Sequence, residues 1–500
     1  MLHRNRWMTF GSMVLGVASV FISGCGSGSG GGGTKAPAPS VQNINSSTTP
    51  TSPLSLPIEI NGSNFQSAPG KVTFTQGSTS VDVTPATSAW SDSGIVATVP
   101  ASLTAPGTVN VTVSTSGGTS NSVTMNLVAT LTFNPSAMGW SATMALPKPM
   151  TGLRAVAVPG TSTSSAFMVV TGGYDGTANT STVWANNLNQ DGTVGDTTNT
   201  AWTTIATNPL PKTLAHHAMA EADDTNSLVA KGQRFVYVIG GQVNHTDNGG
   251  TNAVYVASVD STAGAVGAWT ALTSTLPQGL FGLTATVHNG YLYVAGGINS
   301  NGVPVSTLFS AQVNSDGTLG SWTTSANALP TPRAFGTMFV FGSIIYYVNG
   351  DPNSSVPPND QGVGDKSLYY ASALHGAVGS WTQNGNSTIH DRAKGLLFSA
   401  YGQVIEAEGV YTGNSASGSG EMETSTVNAN NSGNLALNSF NGLTGSQVAS
   451  ANVYNAAGFT SPLVSSANGP RFLIIGGQAS TGTTGVGGAL SSTVYYNSKP

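Results

Sequence analysis

Three arginines stand at similar places in this sequence and are the first candidates for chemistry. Arg154, Arg333 and Arg392 follow or lie near the Leu-Pro corners, where strands are predicted to begin. A guanidinium group is planar, stays charged and presents paired donors that match a carboxylate. These arginines could therefore bind an anionic or a sugar ligand. In the alternative interpretation, each one caps a backbone carbonyl or pairs with a group nearby.

The sequence contains one pair of adjacent histidines, His216-His217. Adjacent residues of a strand face opposite sides of the sheet, so the two imidazoles cannot easily chelate one metal ion. We therefore predict no metal site here and retain His216 alone as a candidate for ligand binding. Tyr174 and Tyr411 are further candidates, because each lies just past a predicted strand and an aromatic face suits the C–H face of a sugar.

Four glutamates, Glu406, Glu408, Glu421 and Glu423, are concentrated in a short part of the chain. They form either a polar site or a solvated segment in which the sequence has drifted. Both interpretations stay open at the level of sequence.

Signatures of enzymes are missing. The chain has no H-E-x-x-H, G-x-S-x-G, P-loop or C-x-x-C motif. We accordingly predict no catalytic residue and no cofactor.

Charged residues make up 7% of the chain, against a typical quarter, and the net charge of −5 includes no basic patch. This charge distribution disfavours nucleic acid as a partner.

The candidate side chains would be positioned by a repeat that fills the last three-quarters of the chain. Each unit has a β-rich run that ends in a glycine pair, a second β-rich run, a glycine turn and a closing aromatic residue. The closing aromatics are Trp140, Trp202, Trp269, Trp322, Trp381 and Phe440. The glycine pairs begin at Gly172, Gly240, Gly296 and Gly476, with degenerate forms at Asn349-Gly350 and Glu408-Gly409. Short strands separated by turn residues, without a helical period, predict an all-β fold.

This order of glycine pair, aromatic and tryptophan resembles the kelch repeat. The resemblance implies that residues 129–500 form a six-bladed β-propeller. In that fold the arginines at the strand beginnings line the mouth of a central channel, and His216 occupies a landmark position at the axis. The strand around Trp140 would complete the last blade, beside the strand that carries Tyr495. Such closure uses both ends of the propeller and removes its free edges.

The N-terminal part divides into three segments. Residues 1–25 have a charged start and an apolar run, and they end in Ile22-Ser23-Gly24-Cys25, which resembles the lipoprotein box of a bacterial signal peptide. Cys25 is the one cysteine of the chain and the expected lipidation site. Residues 26–38 are a Gly/Ser/Pro tether. Residues 39–128, with Asn64-Phe65 and alternation at Val109, Val111 and Val113, resemble an immunoglobulin-like IPT/TIG domain.

We therefore expect a lipid-anchored protein of the cell envelope, at the outer membrane or cell surface. Its leading function is non-catalytic binding or display, with a glycan or a protein as the partner. The alternative is a propeller enzyme that acts on sugars as a hydrolase or an epimerase.

Overall fold

Strands and tight turns make up nearly all the regular structure of the chain, as its sequence predicts. A computed structural model describes residues 36–499 except 46, 48–49, 54–56, 104, 129–133, 161–165, 196–200, 205–207, 248, 261–264, 342–343, 354–363, 401–402, 410–421, 428–436, 444–452, 463–469 and 480–488. The described residues from Pro37 onward belong to one compact unit. The all-β class is confirmed.

Nine strands and one short 3-10 helix, Thr87–Ala89, form the first part of this unit. The strands are β1 (Ser40–Ile44), β2 (Thr51–Pro53), β3 (Pro57–Ser63), β4 (Lys71–Gln76), β5 (Thr79–Val83), β6 (Gly94–Thr98), β7 (Gly107–Thr115), β8 (Gly118–Thr119) and β9 (Val123–Val128). One sheet has the order β1-β3-β6, and the other has the order β2-β9-β7-β4-β5 with β8 on β7. Val109, Val111 and Val113 of β7 are fully buried between the two sheets, as their alternation predicts. The segment is an immunoglobulin-like sandwich.

The remaining strands follow a 3-10 helix at Pro135–Ala137. They are β10 (Gly139–Ala142), β11 (Arg154–Pro159), β12 (Ala166–Thr171), β13 (Val183–Leu188), β14 (Thr203–Thr204), β15 (Ala218–Asp223), β16 (Arg234–Ile239), β17 (Val254–Asp260), β18 (Ala265–Val266), β19 (Thr270–Ala271), β20 (Thr284–His288), β21 (Tyr291–Ala295), β22 (Leu308–Gln312), β23 (Thr323–Thr324), β24 (Thr337–Phe341), β25 (Ile344–Val348), β26 (Leu368–Leu374), β27 (Ala377–Val378), β28 (Thr382–Gln383), β29 (Leu396–Ala400), β30 (Gln403–Ala407), β31 (Met422–Thr426), β32 (Asn441–Leu443), β33 (Val453–Tyr454), β34 (Ala457–Thr460), β35 (Phe472–Ile475), β36 (Gln478–Ala479) and β37 (Val494–Lys499).

These strands form a series of antiparallel sheets in chain order. The sheets have the orders β11-β12-β13-β14, β15-β16-β17-β18 with β19 on β17, β20-β21-β22-β23, β24-β25-β26-β27 with β28 on β26, β29-β30-β31-β32 and β10-β37-β35-β34, and a short ladder joins β33 to β36. One sheet combines the two ends of the segment, because β10 pairs with β37 and Ala142 lies opposite Tyr495. The ring of Trp140 lies 6.3 Å from that of Phe398, on the neighbouring sheet.

The first strands of these sheets are neighbours in a closed order. β11 contacts β15, β15 contacts β20, and the series continues through β24, β29 and β34 back to β11. Six residues just before these strands form what we call the inner circuit: Gly152, His216, Gly282, Phe335, Lys394 and Asn455. Each backbone N–H donates to the carbonyl of the member before it, and Gly152 donates to Asn455, over distances of 2.7–3.1 Å. Every member has a positive φ, between 52° and 64°.

The glycine pairs form a second closed set of hydrogen bonds, which we call the glycine circuit. Its donors are Gly173, Gly241, Gly297, Gly350, Gly409 and Gly477, and its acceptors are the carbonyls of Leu214, Leu280, Arg333, Arg392, Val453 and Met150 of the adjoining sheets, at 2.7–3.0 Å. The donors have φ between 93° and 102°, a conformation that a side chain excludes. The second glycine is thus kept in every repeat, whereas Asn349 and Glu408 replace the first one at φ near 57°.

The closing tryptophans connect consecutive sheets at their outer strands. The indole N–H groups of Trp322 and Trp381 donate to the carbonyls of Ser274 and Asn327, each of which follows the outer strand of the preceding sheet, at 3.0 and 3.1 Å. A ring that fills the space between sheets while its N–H is satisfied suits this position. None of the helical segments in the described residues has the length and apolar character needed to cross a bilayer.

Candidate functional site

A cavity of about 200 Å³ lies beside the inner circuit, enclosed by the first strands of the sheets. Its polar lining residues are Arg154, Thr284, Thr337, Lys394 and Asn455. Its apolar lining residues include Phe335, Met219 and Met338. A concave space with a few converging polar groups is typical of a small-molecule site.

Two cations line this cavity. Arg154 begins β11, two residues after Gly152 of the inner circuit, and its Nη1 donates to the carbonyl of Leu153 at 2.8 Å. Burial lowers the pKa of Arg154 to about 10, so the guanidinium group stays charged at neutral pH. Lys394, itself a member of the inner circuit, is only 7% exposed. Its ammonium group lies 5.1 Å from the ring centre of Phe335, where a cation is attracted by the aromatic face.

The neutral groups of the cavity can orient a ligand. Asn455 is buried, and its side-chain Oδ1 makes no hydrogen bond within the described part of the chain. Thr284 and Thr337 add hydroxyl groups to the lining, and a hydroxyl can both donate and accept a hydrogen bond. No carboxylate is found among the described residues that line the cavity.

His216 lies in the inner circuit, where its positive φ turns the chain into β15. It is 2% exposed, and its ring meets that of Phe335 edge-on with centroids 5.5 Å apart. Burial first, and then the charges of Arg154 and Lys394, hold the pKa of His216 well below its usual value, so the ring is neutral near pH 7. His217 points elsewhere, with Nε2 at 2.8 Å from Thr171 Oγ1. Within the described residues, no group of metal-ligating side chains could hold an ion.

Arg333 and Arg392 occupy a different place from Arg154. Both lie two residues before the inner circuit and are almost fully buried. Arg333 donates to the carbonyl of Asn349 at 3.0 Å and pairs with Asp365 at 3.1 Å. Arg392 donates to the carbonyl of Glu408 at 2.8 Å. Neither guanidinium group lines the cavity, so the site proposed below includes Arg154 but not these two.

The glutamates of the fifth repeat form a buried network around Arg392. Its Nη2 lies 3.3 Å from Glu423 and its Nε 3.6 Å from Glu406. Glu408 accepts a hydrogen bond from the backbone N–H of Val453 at 3.0 Å. Burial raises the pKa of Glu406 to about 8, against the opposing charge of Arg392, and it raises that of Glu408 to about 8 as well. This network is enclosed in the protein and lies outside the cavity, and Glu421 lies outside the described residues.

Tyr174 is not among the residues that line the cavity. The ring of Tyr174 stacks on His245, with centroids 3.9 Å apart and planes 12° apart, and its hydroxyl donates to the carbonyl of Gly176 at 2.8 Å. Tyr411 and the lipidation candidate Cys25 lie outside the described residues. Two further residues of the cavity, Lys394 and Asn455, were not predicted from the sequence. The signal for Lys394 is the match between Arg333-Ala334-Phe335-Gly336 and the segment 392–395, RAKG, which places Lys394 in line with Phe335.

Comparisons with known proteins identify part of the chain. Residues 39–126 match the IPT/TIG domain family, so the N-terminal sandwich is an IPT/TIG domain. A solved structure described as "Structure of YjhT" is similar to this chain with a TM-score of 0.46 and 16% identity, over 71% of this chain and 96% of that one. No curated protein matches the sequence.

Proposed function

We propose that this protein is a lipid-anchored binding protein whose C-terminal repeats form a six-bladed, kelch-like β-propeller around a ligand site. The closed order of the first strands supports the propeller, as do the two circuits of hydrogen bonds. The pairing of β10 with β37 supports it as well, since a propeller of this kind would be closed by joining its two ends in one sheet. In this proposal residues 1–25 are the signal peptide, 26–38 the tether, 39–128 the IPT/TIG segment and 129–500 the propeller.

The function supported best is non-catalytic binding of a glycan in the cavity beside the inner circuit. The observation that carries it is the cavity itself, where charged, amide and hydroxyl groups meet an aromatic ring. Sugars present hydroxyls and apolar C–H faces, and both have partners there. The anchor would hold the site at the cell envelope, at the outer membrane or cell surface.

A glycan array tests this function with the purified full chain. We expect retention of a subset of glycans, and a loss of that retention in Ala285→Phe, because Ala285 lines the cavity and a phenyl ring would fill it. Ala145→Phe, at an exposed position, is the matched control. Retention by a folded Ala285→Phe equal to that of the parent would place the glycan elsewhere. Absence of any retained glycan would favour a protein partner.

The same array separates binding from the alternative, an enzyme that acts on sugars. Each retained glycan is incubated with the full chain and assayed for released reducing sugar and for epimerisation. We expect neither. Turnover that is lost in Ala285→Phe but kept in Ala145→Phe would replace the binding function by catalysis.

The lipid anchor is tested separately at Cys25. Two or more acyl chains bury enough methylene groups for stable attachment to a membrane. Cells that express the full chain are grown with a radioactive fatty acid. We expect label on the parent chain and on Ser27→Ala, and none on Cys25→Ala. Equal labelling of the Cys25→Ala variant would contradict the anchor.

A further inference from the structure

We propose that the cavity recognises a carboxylate, so that the glycan bound there is an acidic sugar held between Arg154 and Lys394. The sugar part of this inference rests on the proposed function. The carboxylate part rests on the charges that line the cavity and can be tested without any sugar.

The charged side chains that line the cavity in the described part of the chain are all positive. Arg154 and Lys394 both line the cavity, and the described residues that line it include no acidic side chain. Their fields overlap, because both charges act on His216 and lower its pKa. Two cations in a partly desolvated space raise the local concentration of anions and favour a ligand that carries negative charge.

Arg154 contrasts with three buried arginines that pair with carboxylates in the described part of the chain. Arg234 pairs with Asp224 at 2.8 Å, Arg333 pairs with Asp365, and Arg392 meets Glu423. Arg154 differs, because its described hydrogen bond goes to the carbonyl of its own neighbour, Leu153. A guanidinium group has five donors, so most of its donors remain available to an incoming carboxylate. The fork of an arginine binds a carboxylate in a bidentate manner.

The neutral groups of the cavity restrict the class of ligand further than the positive charge does. Thr284 and Thr337 line the cavity with hydroxyl groups, which can both donate and accept, so they suit a ligand that carries hydroxyls as well as a carboxylate. The ring of Phe335, whose centre lies 5.1 Å from the ammonium group of Lys394, offers an apolar surface in the same cavity. A ligand with one carboxylate, neighbouring hydroxyls and a C–H face satisfies all of these groups. Uronic acids have this chemistry.

Calorimetry with paired sugars tests the inference on the full chain. Glucuronate and glucose differ at one carbon, as do galacturonate and galactose. We expect at least one uronate to bind at least about tenfold more tightly than its neutral partner, since a hydrogen bond to a charged group is worth that factor or more. Arg154→Gln and Lys394→Gln should each abolish this preference, whereas Arg154→Lys, which keeps the charge, should restore part of it. Lys212→Gln, at an exposed lysine, is the control.

A second measurement uses acetate, a carboxylate without a sugar. Acetate should raise the unfolding temperature of the parent and of Lys212→Gln, and it should not do so for Arg154→Gln. Uronate and neutral sugar bound equally, with no effect of acetate, would overturn the inference and leave the proposed function intact. Stabilisation by acetate without binding of any sugar would support the carboxylate site and contradict the glycan. If Arg154→Gln does not fold, the affinities of the parent chain for uronate and for neutral sugar still show whether a carboxylate is recognised.

Discussion

Replacement of Arg392 by methionine is expected to lower the free energy of unfolding by about 3–5 kcal/mol at pH 8, because it leaves buried carboxylates without their cation. Arg392 is 1% exposed and lies between Glu406 and Glu423. Methionine fills a similar length of side chain, so the loss reports mainly the missing charge and its hydrogen bonds. Urea unfolding gives the measurement, and Lys212→Met at an exposed site is the control.

The pH dependence of this loss has a definite sign. Glu406 and Glu408 have pKa values raised to about 8 in the folded protein, chiefly by burial. A carboxyl group with a raised folded pKa contributes stability below its unfolded value near 4.5 and loses that contribution as the pH rises toward 8. The stability of the parent should therefore fall between about pH 4.5 and 8.

Removal of Arg392 extends this fall to higher pH and so makes it larger. Its charge lowers the pKa of both glutamates, so in the methionine variant both values rise further. At pH 5 the two carboxyl groups are then largely protonated in the folded state, and the loss of the cation costs less than at pH 8. An equal loss at both pH values would show that the network does not depend on ionisation of these glutamates.

Replacement of Gly240 by alanine should destabilise the protein by about 2–5 kcal/mol. Gly240 is the first glycine of its pair and has a φ of 61°, and a Cβ there would lie 2.5 Å from the carbonyl oxygen of Leu280. The left-handed conformation costs an alanine ~1–2 kcal/mol, and overpacking against a backbone adds ~1–3 kcal/mol. The clash would also push apart the groups of the Gly241–Leu280 hydrogen bond.

Two other glycines separate the contributions to that loss. Gly232 has a φ of 81° with open space around a Cβ, so Gly232→Ala should cost only the ~1–2 kcal/mol of its backbone conformation. Gly385 has neither a positive φ nor a neighbour within 4 Å, so its alanine variant should be neutral or slightly stabilising. Urea unfolding of the three variants gives the comparison. A Gly240→Ala variant no less stable than Gly232→Ala would contradict the close approach between sheets.

The sequence predicted local features well and relations between repeats less well. The alternation of valines predicted β7, and the glycine pairs predicted where the second strand of each sheet ends. Both signals depend on residues that are close together in the chain. Arg154, Arg333 and Arg392 were grouped together by their nearness to Leu-Pro corners, yet Arg154 lies after the inner circuit and the other two lie before it. An offset of a few residues moves a side chain from the cavity to the protein interior, and only the register between sheets reveals that offset.

The degenerate fifth repeat illustrates the same limit. Glu408 departs from the glycine pattern and suggested either a polar site or drift. It keeps a positive φ of 59°, and its carboxylate accepts the N–H of Val453. The backbone geometry of the repeat is thus preserved although the residue type is not. A pattern of residue types therefore does not identify this position as part of the repeat, whereas its backbone hydrogen bonds do.

The inner circuit also bears on how the sheets lose their structure. In an open array of repeats, the terminal units have one neighbour and unfold first. Here every sheet has a neighbour on both sides, and each border is crossed by one hydrogen bond of each circuit. Loss of any one sheet therefore breaks bonds at two borders and exposes two faces, so no sheet is a weak end from which fraying can start. Amide protons of the six circuit members should accordingly exchange with solvent only through global opening, at rates that are alike for Gly152 and Phe335 despite their distance in the chain.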